Sequence, residues 1–87
     1  MTVKEYMQQN DNFHVRLDGK ETTDTCDPFA WHLWEGMLQD VPEVLRKLEV
    51  VTDGWMMQAQ VAVLEVFVPR KKYPQLYLRS YSPSRGV

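Results

Sequence analysis

The sequence predicts an α+β fold, a mostly antiparallel sheet of about four strands with one main helix and a short N-terminal helix packed on it. Three observations predict it. Thr2-Val3-Lys4-Glu5 has the spacing of a capping box, and Phe13–Asp18 alternates apolar and polar residues as a half-buried strand does. From Leu48 onward the hydrophobic period is again two, culminating in the long apolar run Trp55–Val68.

In chain order, the Thr2 hydroxyl can accept from the Glu5 amide while the Glu5 carboxylate reaches back, starting a short helix from Val3 to Gln9. Asn10-Asp11-Asn12 reads as a turn, and Phe13, Val15 and Leu17 as the buried side of a strand that Asp18-Gly19 would end in a tight turn. Lys20–Thr25 is polar and β-branched, either a weak edge strand or a loop.

Asp27-Pro28 places an N-cap residue before a proline at the first helical position, predicting the main helix over Pro28–Gln39. On a helical wheel Phe29, Ala30, Trp31, Leu33, Trp34, Met37 and Leu38 cover about 200° of arc. Asp40-Val41-Pro42-Glu43 then caps a second helical segment bearing Val44, Leu45 and Leu48, with Pro42 breaking the two apart.

Glu49–Thr52 followed by Asp53-Gly54 and the run to Val68 predicts a hairpin. Both alternating sets of that run are largely apolar, so the strand is expected to be central and covered on both faces, with a bulge near Met57–Gln60. Pro69 ends it, Arg70–Pro74 forms a basic loop, and Gln75–Tyr81 is the last predicted strand. One domain is expected over residues 1–82, with 83–87 a frayed tail.

The 87 residues would bury roughly 64% of the open chain's surface, enough for one modest core. Hydrophobic residues at 44% and charged residues at 25% argue against disorder, and the single Cys26 permits no internal disulfide. No apolar run is long enough to cross a bilayer and the start lacks a signal-peptide core, so a cytoplasmic protein without membrane contact is expected.

Net charge hides an asymmetry. Residues 1–69 hold five Lys/Arg against all twelve Asp/Glu, a formal −7, whereas residues 70–87 hold five Lys/Arg and no acid, a formal +5. An acidic body with a basic edge follows, either for attracting partners or for neutralising itself across the fold.

Reactive chemistry is sparse. Cys26, Asp27, His14 and His32 are too few and too scattered for a structural zinc site, so no metal is expected. Cys26 beside the Pro28 helix could have a lowered pKa, and a Cys–His pair is conceivable, but the flanking residues match no nucleophile motif. The carboxylates are scattered singly, and the glycines form no phosphate-cradling loop, so neither enzyme activity nor a cofactor is expected.

Binding chemistry is richer. Trp31, Trp34, Trp55, Met56 and Met57 belong to the residue types that dominate interface hot spots, although a wide apolar face is equally what a core requires. The acids Asp18, Glu21, Asp24, Asp27, Glu35, Asp40 and Glu43, together with Trp31 and Trp55, form the candidate docking set. Carboxylates can satisfy the same Arg/Lys side chains as phosphates do, so an acidic body suits a groove made for nucleic acid.

The alternative is a small nucleic-acid-binding regulator. In a last strand Tyr77, Arg79 and Tyr81 would share a face that stacks bases while Arg70, Lys71 and Lys72 meet phosphates. Against it, the acidic body repels a polyanion, and tyrosines with a basic loop are ordinary strand-edge features. Self-association into a homodimer is a third reading.

Thr2-Val3-Lys4-Glu5-Tyr6-Met7, the strand Phe13–Asp18, and Leu48–Val51 with Asp53-Gly54 before an apolar strand resemble small accessory proteins of bacteriophages and mobile elements. The resemblance covers about the first 20 residues and residues 48–68. It departs from that group in the Trp-rich segment and the basic tail. It implies a protein that acts by binding a host protein or protein–nucleic acid complex, as inhibitors of host defence complexes such as anti-CRISPR proteins do, and transfers no residue role.

Overall fold

A computed structural model describes residues 1–56 and 60–77, with only the backbone of Tyr77. Its first helix, α1, spans Val3–Gln9 and is opened by the reciprocal Thr2–Glu5 capping box. The strands are β1 (His14–Lys20), β2 (Trp31–Met37), β3 (Glu49–Met56) and β4 (Val61–Phe67). A 3₁₀ turn at Leu38–Asp40 and a four-residue helix α2 (Glu43–Arg46) join β2 to β3, and a second 3₁₀ turn covers Pro74–Tyr77.

The sheet order is β2-β1-β4-β3. Both sequential pairs, β1 with β2 and β3 with β4, are antiparallel, and the central contact between β1 and β4 is parallel. The sheet is therefore mixed.

This corrects the expected fold class, because the main helix does not exist. Residues 31–37 of the expected Pro28–Gln39 helix form strand β2, paired from His14↔Met37 to Gly19↔Trp31. The local signal was real but ambiguous. The Asp27 carboxylate does accept from the Phe29 amide, the bond an N-cap would begin with, yet the chain then extends. An Asx turn and an N-cap share that first step.

Tertiary packing decides for the strand. On the face that pairs Val15 with Gly36 and Leu17 with Trp34, each tryptophan of β2 lies over a glycine. A Cβ on Gly19 would sit 2.6 Å from the Trp31 ring, and one on Gly36 would sit 2.7 Å from the Trp34 ring. Large aromatic side chains on a pleated surface favour strand structure when flat neighbours accept them.

The same fact removes the Asp18-Gly19 turn, since both residues run inside β1 with Gly19 serving as the floor for Trp31. Asp53-Gly54 likewise lies inside β3, and the chain reverses between the paired residues Met56 and Val61 instead. Within that reversal Gln60 has a left-handed backbone, φ 52°. Among the described residues, register irregularities lie at Leu17/Asp18 opposite β2 and at Val50/Thr52 opposite β4. Residues 57–59 of the expected bulge lie outside the described residues.

Residues 75–77 of the expected last strand belong to a 3₁₀ turn, and residues 78–81 lie outside the described residues, as does the tail. The second helical segment does form as α2, but Pro42 precedes it without any side-chain cap, so Asp40 is not its cap. Lys20–Thr25 resolves into the last residue of β1 and a loop.

Strand β4 is central, as its apolar run predicts, but its two faces differ. Ala62, Leu64, Val66 and Val68 are buried in one core with Val15, Leu17 and Trp34. Val3, Tyr6 and Met7 of α1, Leu38, Val41, Leu45 and Leu48 of the connection, and Tyr73 and Leu76 complete that core. On the opposite face Val63, Glu65 and Phe67 are only half-buried.

The first residues staple this arrangement. Val3 N–H donates to the Leu48 carbonyl and Val50 N–H to the Met1 carbonyl, so the chain start lies along the outer edge of β3. Gln39 ties α1 to the 3₁₀ turn after β2 through the Met7 carbonyl.

Candidate docking loop and the polar sheet face

The register places His14, Arg16, Asp18 and Lys20 of β1 on the sheet face away from the core, beside Glu35 of β2 and Glu65 of β4. These charges are paired almost one for one. Arg16 donates to both Asp18 oxygens, at 2.9 and 2.8 Å, and that hydrogen bonding raises the guanidinium pKa further. His14 Nε2 lies 2.7 Å from one Glu35 oxygen. His32 Nε2 lies 3.5 Å from the other, close enough for attraction when the ring is charged but without hydrogen-bond geometry.

Lys20 is wholly buried, an uncommon place for an ammonium. Its Nζ donates to the Asp24 carbonyl at 2.7 Å and to Glu65 at 3.3 Å, and Glu65 also accepts from the Thr52 hydroxyl. One buried cation thus fastens the loop after β1 to the sheet.

That loop, residues 21–30, holds three of the expected docking residues, Glu21, Asp24 and Asp27. The Asp24 carboxylate accepts from the Cys26 amide, and the Asp27 carboxylate accepts from the Phe29 amide and the Thr22 hydroxyl. These bonds, the Phe29 amide first, hold the Asp27 carboxyl below its ordinary pKa and so keep it ionised. Glu21 is met from outside by Arg70 at 3.1 Å, both side chains exposed. Here the acidic body and the basic edge touch and partly neutralise each other.

Phe29 is 81% exposed at the tip of this loop. Together with Pro28, Trp31, Glu21 and Asp27 it borders an open cleft of about 470 Å³. The indole N–H of Trp31 donates to the Leu76 carbonyl at 3.3 Å, which fixes that wall of the cleft.

No family model, curated protein or solved structure matches this chain.

The remaining candidate residues are dispersed. Asp18 is buried against Arg16 and Glu35 is shared between two imidazoles, so both are committed to the sheet. Asp40 lies in the 3₁₀ turn and Glu43 opens α2. Trp55 is 53% exposed on β3, stacked on Phe13 at 6.2 Å, with Phe13 in turn 6.4 Å from Tyr6. Burial and the nearby Asp53 charge raise the Tyr6 pKa. Trp55 pairs with Ala62 near the start of β4, whereas the docking loop leaves β1 opposite Phe67 at its end. Trp31 and Trp55 therefore belong to different ends of the sheet.

In the alternative set, Arg70, Lys71 and Lys72 are exposed in a turn, with Lys72 Nζ 5.5 Å from the centre of the Tyr73 ring. Tyr77 ends a 3₁₀ turn and is not on a strand, while Arg79 and Tyr81 lie outside the described residues. Cys26 is exposed on the docking loop, and His14 and His32 converge on Glu35. Among the described residues no three or more His, Cys, Asp or Glu side chains are grouped to hold a metal ion, and no helix is long and apolar enough to cross a membrane.

Sequence reasoning missed Phe29, which it had assigned to the apolar side of a helix. Its neighbours carried the signal: an aromatic directly after Asp-Pro and amid acids is placed at a turn, where burial is hard to achieve.

Proposed function

We propose that this chain is a non-catalytic protein-binding module that docks through the loop of residues 21–30 onto a basic surface of another protein. The single observation that carries the reading is Phe29: a large ring 81% exposed, flanked by Glu21, Asp24 and Asp27 on a loop whose shape is fixed by its own hydrogen bonds. A pre-shaped aromatic loop with acidic flanks loses little entropy on binding and steers toward cations. A basic groove normally occupied by nucleic acid is one such surface, the mode of action expected of a phage or mobile-element inhibitor of a host defence complex.

The test is recovery of partners on the immobilised chain from host lysate, compared with Phe29→Ala and with the triple variant Glu21→Gln, Asp24→Asn, Asp27→Asn. A protein retained by the wild type, released by moderate salt and absent from both variants supports the reading. Equal recovery on all three surfaces overturns it.

A further inference from the structure

Resting on that protein-binding reading, we infer that the cleft beside Phe29 is a receptor for one arginine side chain of the partner. Its volume of about 470 Å³ falls in the range of small-ligand sites, too small for a folded element and ample for one long side chain with its flanking backbone. Its border combines two chemistries. Glu21 and Asp27 contribute carboxylates, and among the described residues no Lys or Arg lines the cleft. Phe29, Pro28 and Trp31 contribute apolar surface, two of them aromatic.

A planar cation that is weakly hydrated, stacks on aromatic faces and donates in a fork to carboxylates matches this combination, and guanidinium is that cation. An ammonium fits the acids alone, being a compact and strongly hydrated charge. The chain displays the polar half of the recognition already: an Arg70 terminal nitrogen sits 3.1 Å from Glu21 at the cleft's outer rim. Both partners of that pair are exposed, so an incoming arginine can compete for the carboxylate at little cost. The same hydrogen bonds that keep Asp27 ionised also hold its carboxylate in place before any ligand arrives.

The test uses three blocked tripeptides, acetyl-Gly-Xaa-Gly-amide with Xaa arginine, lysine or citrulline, titrated into the full-length chain. The readout is the NMR signal of the Trp31 indole N–H, identified among the three indole signals as the one lost in Trp31→Phe. The arginine peptide is expected to shift that signal saturably, with lysine weaker by about fivefold, the stacking contribution, and citrulline without effect. Phe29→Ala and Asp27→Asn are each expected to weaken the arginine peptide several-fold, while leaving the folded spectrum intact.

Equal affinity for lysine and arginine overturns the inference, as does an arginine-induced shift confined to signals outside the loop. A response that emerges only when Arg79 and Arg85 are replaced by alanine assigns the cleft to the chain's own arginines and overturns it too. Failure of the peptides while partner recovery still depends on Phe29 removes the arginine site and leaves the docking reading standing. Loss of that dependence removes the docking reading itself.

Discussion

The two faces of the sheet solve the same burial problem with opposite materials. On the covered face Val15, Leu17, Leu64 and Val66 meet the apolar side of α1 and the segment 38–48, and their cohesion needs no direction. On the other face β1 presents only His14, Arg16, Asp18 and Lys20, and order depends on pairing each charge with a particular neighbour. The first kind of face tolerates changes of shape within limits of volume. The second is vulnerable at its buried charges, Asp18 and Lys20, because a buried polar group left alone costs more than its bond contributed.

Leu64→Ala tests the apolar side at its centre and is expected to have the largest effect. A fully buried leucine on a central strand should cost about 2–5 kcal/mol, read from urea unfolding at constant slope. Lys20→Met tests the polar side. The stem is kept and the ammonium removed, which strips the Asp24 carbonyl and Glu65 of a donor and should cost about 1.5–3 kcal/mol. It should also loosen the docking loop, seen as faster amide exchange at Cys26 and Phe29, whereas Leu64→Ala should leave those amides slow until the whole domain opens. Equal exchange in the two variants would break the contrast between the faces.

The smallest effect is electrostatic and lies outside both faces. The Thr2 amide and hydroxyl depress the Glu5 pKa below 4.5, and the Phe29 amide and Thr22 hydroxyl depress that of Asp27 below 3.8. A lowered folded-state pKa adds stability above the unfolded value and loses it as pH falls through the folded one. Glu5→Gln removes the titrating Glu5 carboxylate and with it that contribution. Its stability deficit against wild type should therefore be widest at neutral pH and narrow on acidification below about pH 4, as urea unfolding at several pH values will read. A deficit that widens with acid would contradict the capping box as the source.

How much of this could be read from the residues depended on how local each cause is. α1 was legible because Thr2 and Glu5 satisfy each other within one turn of chain. The β1 alternation and the centrality of β4 were legible because apolar spacing states burial directly. Residues 31–37 were misread because their preference for a strand is supplied from elsewhere: Gly19 from β1 and Gly36 from β2 itself offer the tryptophans flat ground that a helix would not. Both Asp-Gly pairs were misread as turns for the same reason, their partner strands being decided at a distance. Of the candidate acids, Glu21, Asp24 and Asp27 share the loop after β1. Which of them face outward as a group depended on the Lys20 anchor, and a lone lysine before a polar loop announces nothing of the kind.

The parallel contact between β1 and β4 has a kinetic consequence. Each antiparallel pair can zip from its own connection, but their union must await an encounter between segments more than forty positions apart, as Val15↔Ala62 shows. The opening residues, laid along β3, are retrieved by the second pair although they precede the first. Neither half is complete without a piece of the other. Folding of such an interlaced chain is therefore expected to be limited by that long-range closure, a rate that stopped-flow refolding will read.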